Sequence, residues 1–472
     1  MTDTDCELRL RRAVEAHIAE GRLLCDLARR IAIPTPSGDP SAGPALRAYL
    51  ADEIVPTLDA MGFASEIIVE SDLSPLPVLI ARREEGADLP TILLYGHGDV
   101  VQADAADWSD GLDPWTLTRR GERLYGRGSA DNKGQHSVNL AALSIVLAER
   151  GHLGFNTILL MEMGEEMGSP GLQAFCERHR DKLKADLLIA SDGPRWSSQR
   201  PTLFLGARGH IDLEITVSLR EQGYHSGNWG GWLRNAGQVL ARALALLTDE
   251  RGRPCMPALA TPDAALAYEA LFDRLAAPEE PGLPAPEAGW GDGEASPAAR
   301  LLNRNNLEII AIDFGAMARP VYAIGPRARA LIGISFLPET DPETFAPAFE
   351  AAFREAGLEG VTVRPTGFLM PASRTAPEHP AVAWALAAMQ RWSGKPVDLL
   401  PNFGGALPNW IFRDALDLPT LWIPHSYNGC AQHAPDEHAL EAVLNEGLML
   451  MAGLFWEAGS RPERLSRMLA RL

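Results

Sequence analysis

The stretch Thr91-Ile-Leu-Leu-Tyr-Gly-His-Gly-Asp-Val100 sets a short apolar run directly against a polar His-Gly-Asp corner. A continuous apolar run suits a strand covered on both faces, because a strand with one wet face alternates. The pattern recurs at Thr157-Ile-Leu-Leu-Met161, which runs into Glu162-Met-Gly-Glu165-Glu166, and at Asp186-Leu-Leu-Ile-Ala190, which runs into Ser191-Asp192-Gly193. A fourth run, Thr420-Leu-Trp-Ile-Pro424, leads into the segment from His425 to His438. Between the first two lies a helical stretch, Gln135 to Arg150, with Val138, Ala141, Ala142 and Ile145 on one face. Strands alternating with helices predict an α/β domain whose sheet is mostly parallel and carries helices on both faces.

From about residue 208 the texture changes. Ile211, Leu213, Ile215, Val217 and Leu219 alternate with polar residues, as in a half-buried strand. A helix follows with Val239, Leu240, Ala243, Leu246 and Leu247 on one stripe, then strands at Leu307–Ile312 and Ala330–Phe336. Asp341-Pro342 opens a second helix with stripe Phe345, Ala348, Phe349, Ala352 and Phe353, and Val361–Arg364 reads as a last strand. The order β-α-β-β-α-β is that of a ferredoxin-like unit. The expected organisation is therefore one α/β domain over 1–207 and 371–472, interrupted by an inserted α+β domain over 208–370. The Pro-, Glu- and Gly-rich segment Pro278–Pro297 reads as a surface excursion of the insert.

The 472 residues suffice for two domains. A net charge of −19 repels phosphate backbones and anionic lipid, which argues against nucleic-acid and membrane-surface partners. The five cysteines share no paired spacing, so neither a disulfide framework nor a zinc knuckle is expected. The first thirty residues are charged throughout and unlike a signal peptide, and the longest apolar run, Gly447–Trp456, is half a membrane span. A cytoplasmic protein is the expectation.

In open α/β sheets ligands bind outside the carboxyl ends of the strands. Four separate strands here deliver His, Asp and Glu to that rim. Taken singly, His97, Glu165-Glu166, Asp192 and His433 have ordinary readings as hydrogen-bonded or solvated loop residues. Taken together they do not, because carboxylates gathered at one rim repel unless a cation stands between them. Other templates fail: there is no His-Glu-x-x-His, no Gly-x-Ser-x-Gly, and Gly126-Arg-Gly-Ser-Ala-Asp-Asn-Lys133 lacks the Gly-Lys-Ser/Thr end of a phosphate loop. Asp131 within that stretch is better explained as a ligand at a helix entrance.

These segments, with Leu124-Tyr-Gly-Arg-Gly-Ser-Ala-Asp-Asn-Lys-Gly134, His225-Ser-Gly227 and His433-Ala-Pro-Asp-Glu437, make the chain resemble the co-catalytic zinc peptidases. That family includes aminoacylase, carboxypeptidase G, acetylornithine deacetylase and the carnosine-type dipeptidases. The resemblance implies two zinc ions per chain, with cobalt or manganese as alternatives, bridged by Asp131. His97 and Asp192 would complete one site, Glu166 and His433 the other. Asp99 would stand behind His97, and Glu165 would be the general base that activates a metal-bridging water. The peptide bond after Asp131 is expected to be cis. The insert would be a lid and dimerisation domain, with His225 of one subunit steadying the oxyanion in the other.

The implied activity is cleavage of an amide bond in a dipeptide or N-acyl amino acid by a homodimer. The alternative is a catalytically silent relative that binds a small molecule or peptide. Two arginines that commonly hold the substrate's acid group in the family are missing: Pro401-Asn-Phe-Gly-Gly-Ala-Leu-Pro408 and Ser335-Phe-Leu-Pro338 stand in their places. Asn303, Gly404 and Gly405 are the substrate-binding candidates, with Arg304, Arg327, Arg329 and Arg374 as possible replacements.

Overall fold

A computed structural model of the chain describes residues 3–277, 280 and 283–469. Of the expected surface excursion, Pro278, Glu279, Pro281 and Gly282 lie outside the described residues. The main sheet is built from β1 (Ala64–Ile68), β2 (Val78–Arg83), β3 (Thr91–His97), β4 (Asn156–Glu162), β5 (Leu187–Ala190) and β6 (Thr202–Phe204). The second sheet comprises β7 (Gly209–Ser218), β8 (Asn306–Asp313), β9 (Arg327–Phe336) and β10 (Val361–Met370). β11 (Asp398–Leu400) and β12 (Thr420–Trp422) then return to the main sheet, whose order is β1-β2-β4-β3-β5-β12-β6-β11. Its centre, β4-β3-β5-β12, is parallel, while β1 and β2 add antiparallel at one edge.

Alternate residues of each central strand enter different cores, which is why these runs are continuously apolar. Ile92, Leu94, Leu159, Leu187 and Leu421 face one layer of helices, and Leu93, Tyr95, Leu160, Leu188 and Trp422 the other. On the first face lie α1 (Asp3–Ala19), α2 (Arg22–Ile31) and α3 (Lys133–Arg150). The carboxyl-terminal half later returns α6 (Pro380–Ser393) and α7 (Glu441–Ser460) to the same face. Gly134 in the first turn of α3 is required by crowding: a Cβ there would fall 1.9 Å from the Ser129 carbonyl oxygen. That close approach folds the loop carrying Asp131 back over the helix entrance.

The second sheet has the order β8-β9-β7-β10 and is antiparallel throughout, the ferredoxin-like arrangement expected. Ile211, Leu213, Ile215 and Val217 pack on α4 (Ala236–Ala245) and on Phe345, Phe349 and Phe353 of α5 (Phe345–Glu355). Asp341 accepts a hydrogen bond from the Glu343 N–H and caps a single 3-10 turn, so α5 starts one turn later than the Asp-Pro signal indicates. β10 continues to Met370, past the expected end at Arg364. The segment following α4 does not stay with this unit. Phe272, Leu275, Ala298, Ala299 and Leu302 belong to the core on the second face of the main sheet, with Phe204, Leu400 and Phe412. Among the described residues no helix is long and apolar enough to cross a membrane.

Candidate metal centre

The rim at the carboxyl ends of β3, β4, β5 and β12 gathers the predicted side chains. His97 ends β3, the 3-10 turn Glu165–Met167 follows β4, and Asp192 follows β5. Asp131 sits in the loop before α3, and the Asp131–Asn132 peptide is cis, as expected. His433 lies in the loop after β12 with a left-handed backbone (φ 62°).

The two oxygens of Asp131 face two different histidines. Oδ1 is 3.0 Å from His97 Nε2, and Oδ2 is 3.0 Å from His433 Nε2. Each histidine also faces a second carboxylate: Asp192 Oδ2 is 3.5 Å from His97 Nε2, and Glu166 Oε2 is 3.0 Å from His433 Nε2. Donor atoms of His97, Asp131 and Glu166 all fall within 4.8 Å of one another. Glu165 Oε2 stands 3.9 Å from His97 Nε2. His97, Asp99, Asp131 and Asp192 are buried, whereas half of the His433 side chain is exposed, so the cluster opens to solvent on that side.

Burial and mutual repulsion mark the group as one that calls for positive charge. Burial, then Asp131, pushes the Glu166 carboxyl up to about 7. Glu165 is raised well above the carboxylate range by burial, with Asp192 and Asp131 adding to it against the pull of His97. Burial works to raise Asp131 too, but the hydrogen bonds from His433 and His97 outweigh it and hold it far below its ordinary value. Hydrogen bonds to Asp131 and Glu166 lift His433 to about 10. Glu166 Oε1 and Asp192 Oδ2 are buried without any hydrogen-bond partner. Orphaned carboxylate oxygens beside imidazole nitrogens, with no thiolate, fit a divalent-cation site.

Asp99 does more than stand behind His97. Its Oδ1 lies 3.3 Å from His97 Nδ1, and its two oxygens accept the Glu165 and Glu166 N–H groups, each at 3.2 Å. It thus fixes the turn bearing both glutamates. Asn132 donates to the Ser191 carbonyl (2.8 Å), and Gln135 donates to the carbonyls of Ala130 and Gly193 (3.0 and 3.1 Å), tying the Asp131 loop to the end of β5. Glu437 was visible in the sequence only as part of a motif. Its Oε1 accepts from the N–H groups of Gly128, Ala130 and Asp131, while Oε2 pairs with Arg127 at 2.6 Å. Gln432, unremarked in the sequence, donates to Asp131 Oδ2.

The other candidates have their hydrogen bonds and packing neighbours outside the cluster. His225 is exposed and caps the short helix Ser226–Trp229, its Nδ1 accepting the Gly227 N–H at 3.1 Å. Asn303 is fully buried, and its amide donates to the Ala265 carbonyl and to Glu269. Gly404 and Gly405 form an accessible turn beyond β11, packed against Phe403 and Leu302.

A family model described as Peptidase family M20/M25/M40 matches residues 93–457. The Beta-Ala-His dipeptidase of Mus musculus is 32% identical over 206 residues, 43% of this chain and 42% of that protein. The Cysteinylglycine-S-conjugate dipeptidase of Corynebacterium striatum is 38% identical over 177 residues, 37% of this chain and 38% of that protein. The alignments thus span less than half the length of these curated relatives. Human carnosine dipeptidase 1 superposes with a TM-score of 0.76 at 23% identity, covering 96% of this chain and 99% of the other. The metallo-carboxypeptidase Sso-CP2 of Sulfolobus solfataricus gives 0.77 at 22% identity, covering 93% and 99%. A family match over more than three-quarters of the sequence, on the same fold, leaves one conclusion: the chain belongs to Peptidase family M20/M25/M40.

Proposed function

We propose that this chain is a two-metal amide hydrolase acting on dipeptides or N-acyl amino acids. The observation that carries the reading is Asp131, whose two oxygens each face a histidine at 3.0 Å. His97, Asp131 and Asp192 would hold one ion, and Asp131, Glu166 and His433 the other. Imidazole and carboxylate donors suit zinc, with cobalt or manganese as alternatives. When bound, such ions polarise the amide carbonyl and make water a nucleophile near neutral pH. The relatives named as dipeptidases favour a dipeptide.

Glu165 is the general base. It takes a proton from the attacking water and returns one to the leaving amine, a task for which a carboxyl raised by burial is suited. Asp99 positions both His97 and the Glu165–Glu166 turn. His225, exposed and bonded only to the Gly227 N–H within its own chain, steadies the oxyanion from a second copy of the chain, as the resemblance implies. The working unit is accordingly a cytoplasmic homodimer. Its catalytic domain is 1–207 with 371–472, and its lid is 208–370, from which the stretch around Phe272 and Ala298–Leu302 reaches back to the main sheet.

The test is hydrolysis by the zinc-loaded protein across dipeptides, N-acetyl and N-carbamoyl amino acids, each run beside Glu165→Gln. Turnover of one class, lost in the variant, supports the reading. No turnover with two ions bound would point to a binding protein instead.

A further inference from the structure

The 3-10 turn Glu165–Met167 ends at Gly168, whose N–H donates to the Glu165 carbonyl at 2.8 Å. Two sides of this turn are held from the main sheet. Asp99 takes the Glu165 and Glu166 N–H groups, and at the exit Ser169 Oγ donates to Glu162 at 2.8 Å. The third side meets the inserted unit. Gly168 has φ 81°, and a Cβ built there would lie 3.3 Å from Cε2 of Phe368. Chain neighbours apart, no other heavy atom of the described residues comes within 4 Å of that position. The bare backbone lets an aromatic ring rest on the turn that carries Glu165 and Glu166.

β10 is bent to deliver that ring. Ile211 of β7 pairs with Leu369 and Leu213 with Pro365, so Asp212 alone stands opposite Thr366, Gly367 and Phe368. Gly367 takes φ 99°, and the Phe368 N–H turns back to Thr366 Oγ1 at 3.4 Å. Bulges of this kind re-aim a side chain and are frequent beside active sites. The ring they place here stays 42% exposed, so core packing does not account for it. It is propped from behind by His210, 6.0 Å away between centroids and edge to face, whose Nε2 lies 3.0 Å from Asp212 Oδ1. His210 can lie across the sheet because position 333 of β9 is glycine: a Cβ at Gly333 would fall 3.1 Å from His210 Cε1. Contacts therefore run from the open face of the second sheet, through His210 and Phe368, to Gly168 and the Glu165 carbonyl.

We propose that Phe368 is the positioning residue through which the inserted unit sets the turn bearing Glu165 and Glu166. It acts through the backbone: with Gly168 pinned, the Glu165 carbonyl is fixed and its side chain is aimed. A misplacement of about 1 Å at a reacting group costs up to about 100-fold in rate. The inference rests on the amide-hydrolase reading above, in which Glu165 is the base.

The experiment pairs hydrogen exchange of the full metal-free chain, read by mass spectrometry, with turnover by the zinc-loaded enzyme of the dipeptide it cleaves fastest. Phe368→Ala should speed exchange of the Glu165–Ser169 amides by about 5- to 30-fold. It should lower kcat by about 10- to 100-fold and leave KM within about twofold. Phe368→Tyr keeps the ring and should restore both readouts to within about twofold of the parent. Leu369→Ala, a neighbour of similar exposure on β10, should leave the turn's exchange unchanged. Unchanged exchange in Phe368→Ala, or equal acceleration in Leu369→Ala, overturns the assignment. So does a raised KM with kcat kept, the mark of a ring that touches substrate instead. Should Phe368→Ala fail to fold, Phe368→Leu and Gly168→Ala decide, singly and together: effects on exchange that fail to multiply support the contact, and effects that multiply overturn it. Exchange is read without metal or substrate, so it judges the contact even where no peptide is cleaved. Absent turnover in the parent counts against the hydrolase reading alone.

Discussion

Replacing Glu437 by Gln changes one atom of a buried side chain that is not itself a ligand candidate, yet the effect on the site should be large. The carboxylate and its partner Arg127 are buried to 1% and 2% exposure. Oε2 takes the charged bond from Arg127, while Oε1 takes three backbone N–H groups, at 3.1 Å (Gly128), 2.9 Å (Ala130) and 3.1 Å (Asp131). Arg127 also donates to the Ala434 carbonyl, next to His433. One brace therefore fixes the loops bearing the shared aspartate and the exposed histidine. Breaking a buried pair by removing one partner costs about 3–5 kcal/mol. The glutamine keeps an oxygen for the three N–H groups but turns an N–H towards Arg127, so a loss near the lower end, about 3 kcal/mol, is expected. Loosening a group that orients ligands lowers metal affinity by about 10- to 100-fold. The assays are the urea midpoint of the zinc-loaded protein and zinc competition against a chelator. Arg127→Met with Glu437→Gln should cost less than the two singles added, since each leaves the other partner stranded. A midpoint within about 0.5 kcal/mol of the parent, with unchanged zinc affinity, would refute the brace.

Glu165→Gln should lower turnover by about 10²–10⁴ while zinc content stays at the parent value; loss of zinc would recast Glu165 as a ligand. Asp99→Asn keeps the shape but weakens acceptance from the Glu165 and Glu166 N–H groups, so zinc affinity should fall by about 10- to 100-fold, and mass spectrometry of metal content at limiting zinc reads it. Chelation of the loaded protein should lower the melting temperature, the stabilisation lost being about 4 kcal/mol where free zinc was a thousandfold above its dissociation constant; an unchanged melt would argue against resident metal. His425 is held well below its ordinary value by burial and by Arg195. A depressed histidine gives stability present above the unfolded value near 6.5 and lost as pH falls below it, at up to about 1.4 kcal/mol per pH unit. His425→Gln should flatten the urea-midpoint profile between pH 6.5 and 5, and an unaltered acid slope would show that His425 is protonated in the fold.

The strand ends were legible because their physics is local. A run such as Ile92–Tyr95 can be continuously apolar only if both faces are covered, so the polar residues that follow must lie at its end, which places His97, Glu165, Glu166 and Asp192 from pattern alone. Strands of three residues, β6 and β11, carry no period and escape notice. Asp131 and His433 sit in loops, where neither hydrophobic pattern nor turn preference distinguishes a ligand from a solvated residue; the bridging role of Asp131 and the pairing of His433 with Glu166 come from resemblance. The Pro- and Glu-rich stretch reads as surface, yet the residues flanking it, Phe272 and Ala298–Leu302, fill the second core. Helices of four to six residues are too short to show a stripe. Asn303 illustrates the converse: its amide looked free for substrate, and the fold uses it on Ala265 and Glu269.

What sequence pattern could not supply is the order of dependence among these residues. The acidic and imidazole side chains meet only because buried groups hold their backbones: Asp99 under the Glu165 turn, Asn132 and Gln135 between α3 and β5, Glu437 between the Asp131 and His433 loops. Each brace joins segments distant in sequence, up to 310 residues for Glu437 and Arg127. The cluster is therefore a product of the completed fold rather than of any segment. Glu165, Glu166 and Asp192, forced together by those braces and raised by burial, oppose folding until positive charge arrives. Folding and metal binding should then be linked, each brace contributing to affinity at the expense of the empty fold's stability, and weakening a brace should cost the loaded protein more than the metal-free one.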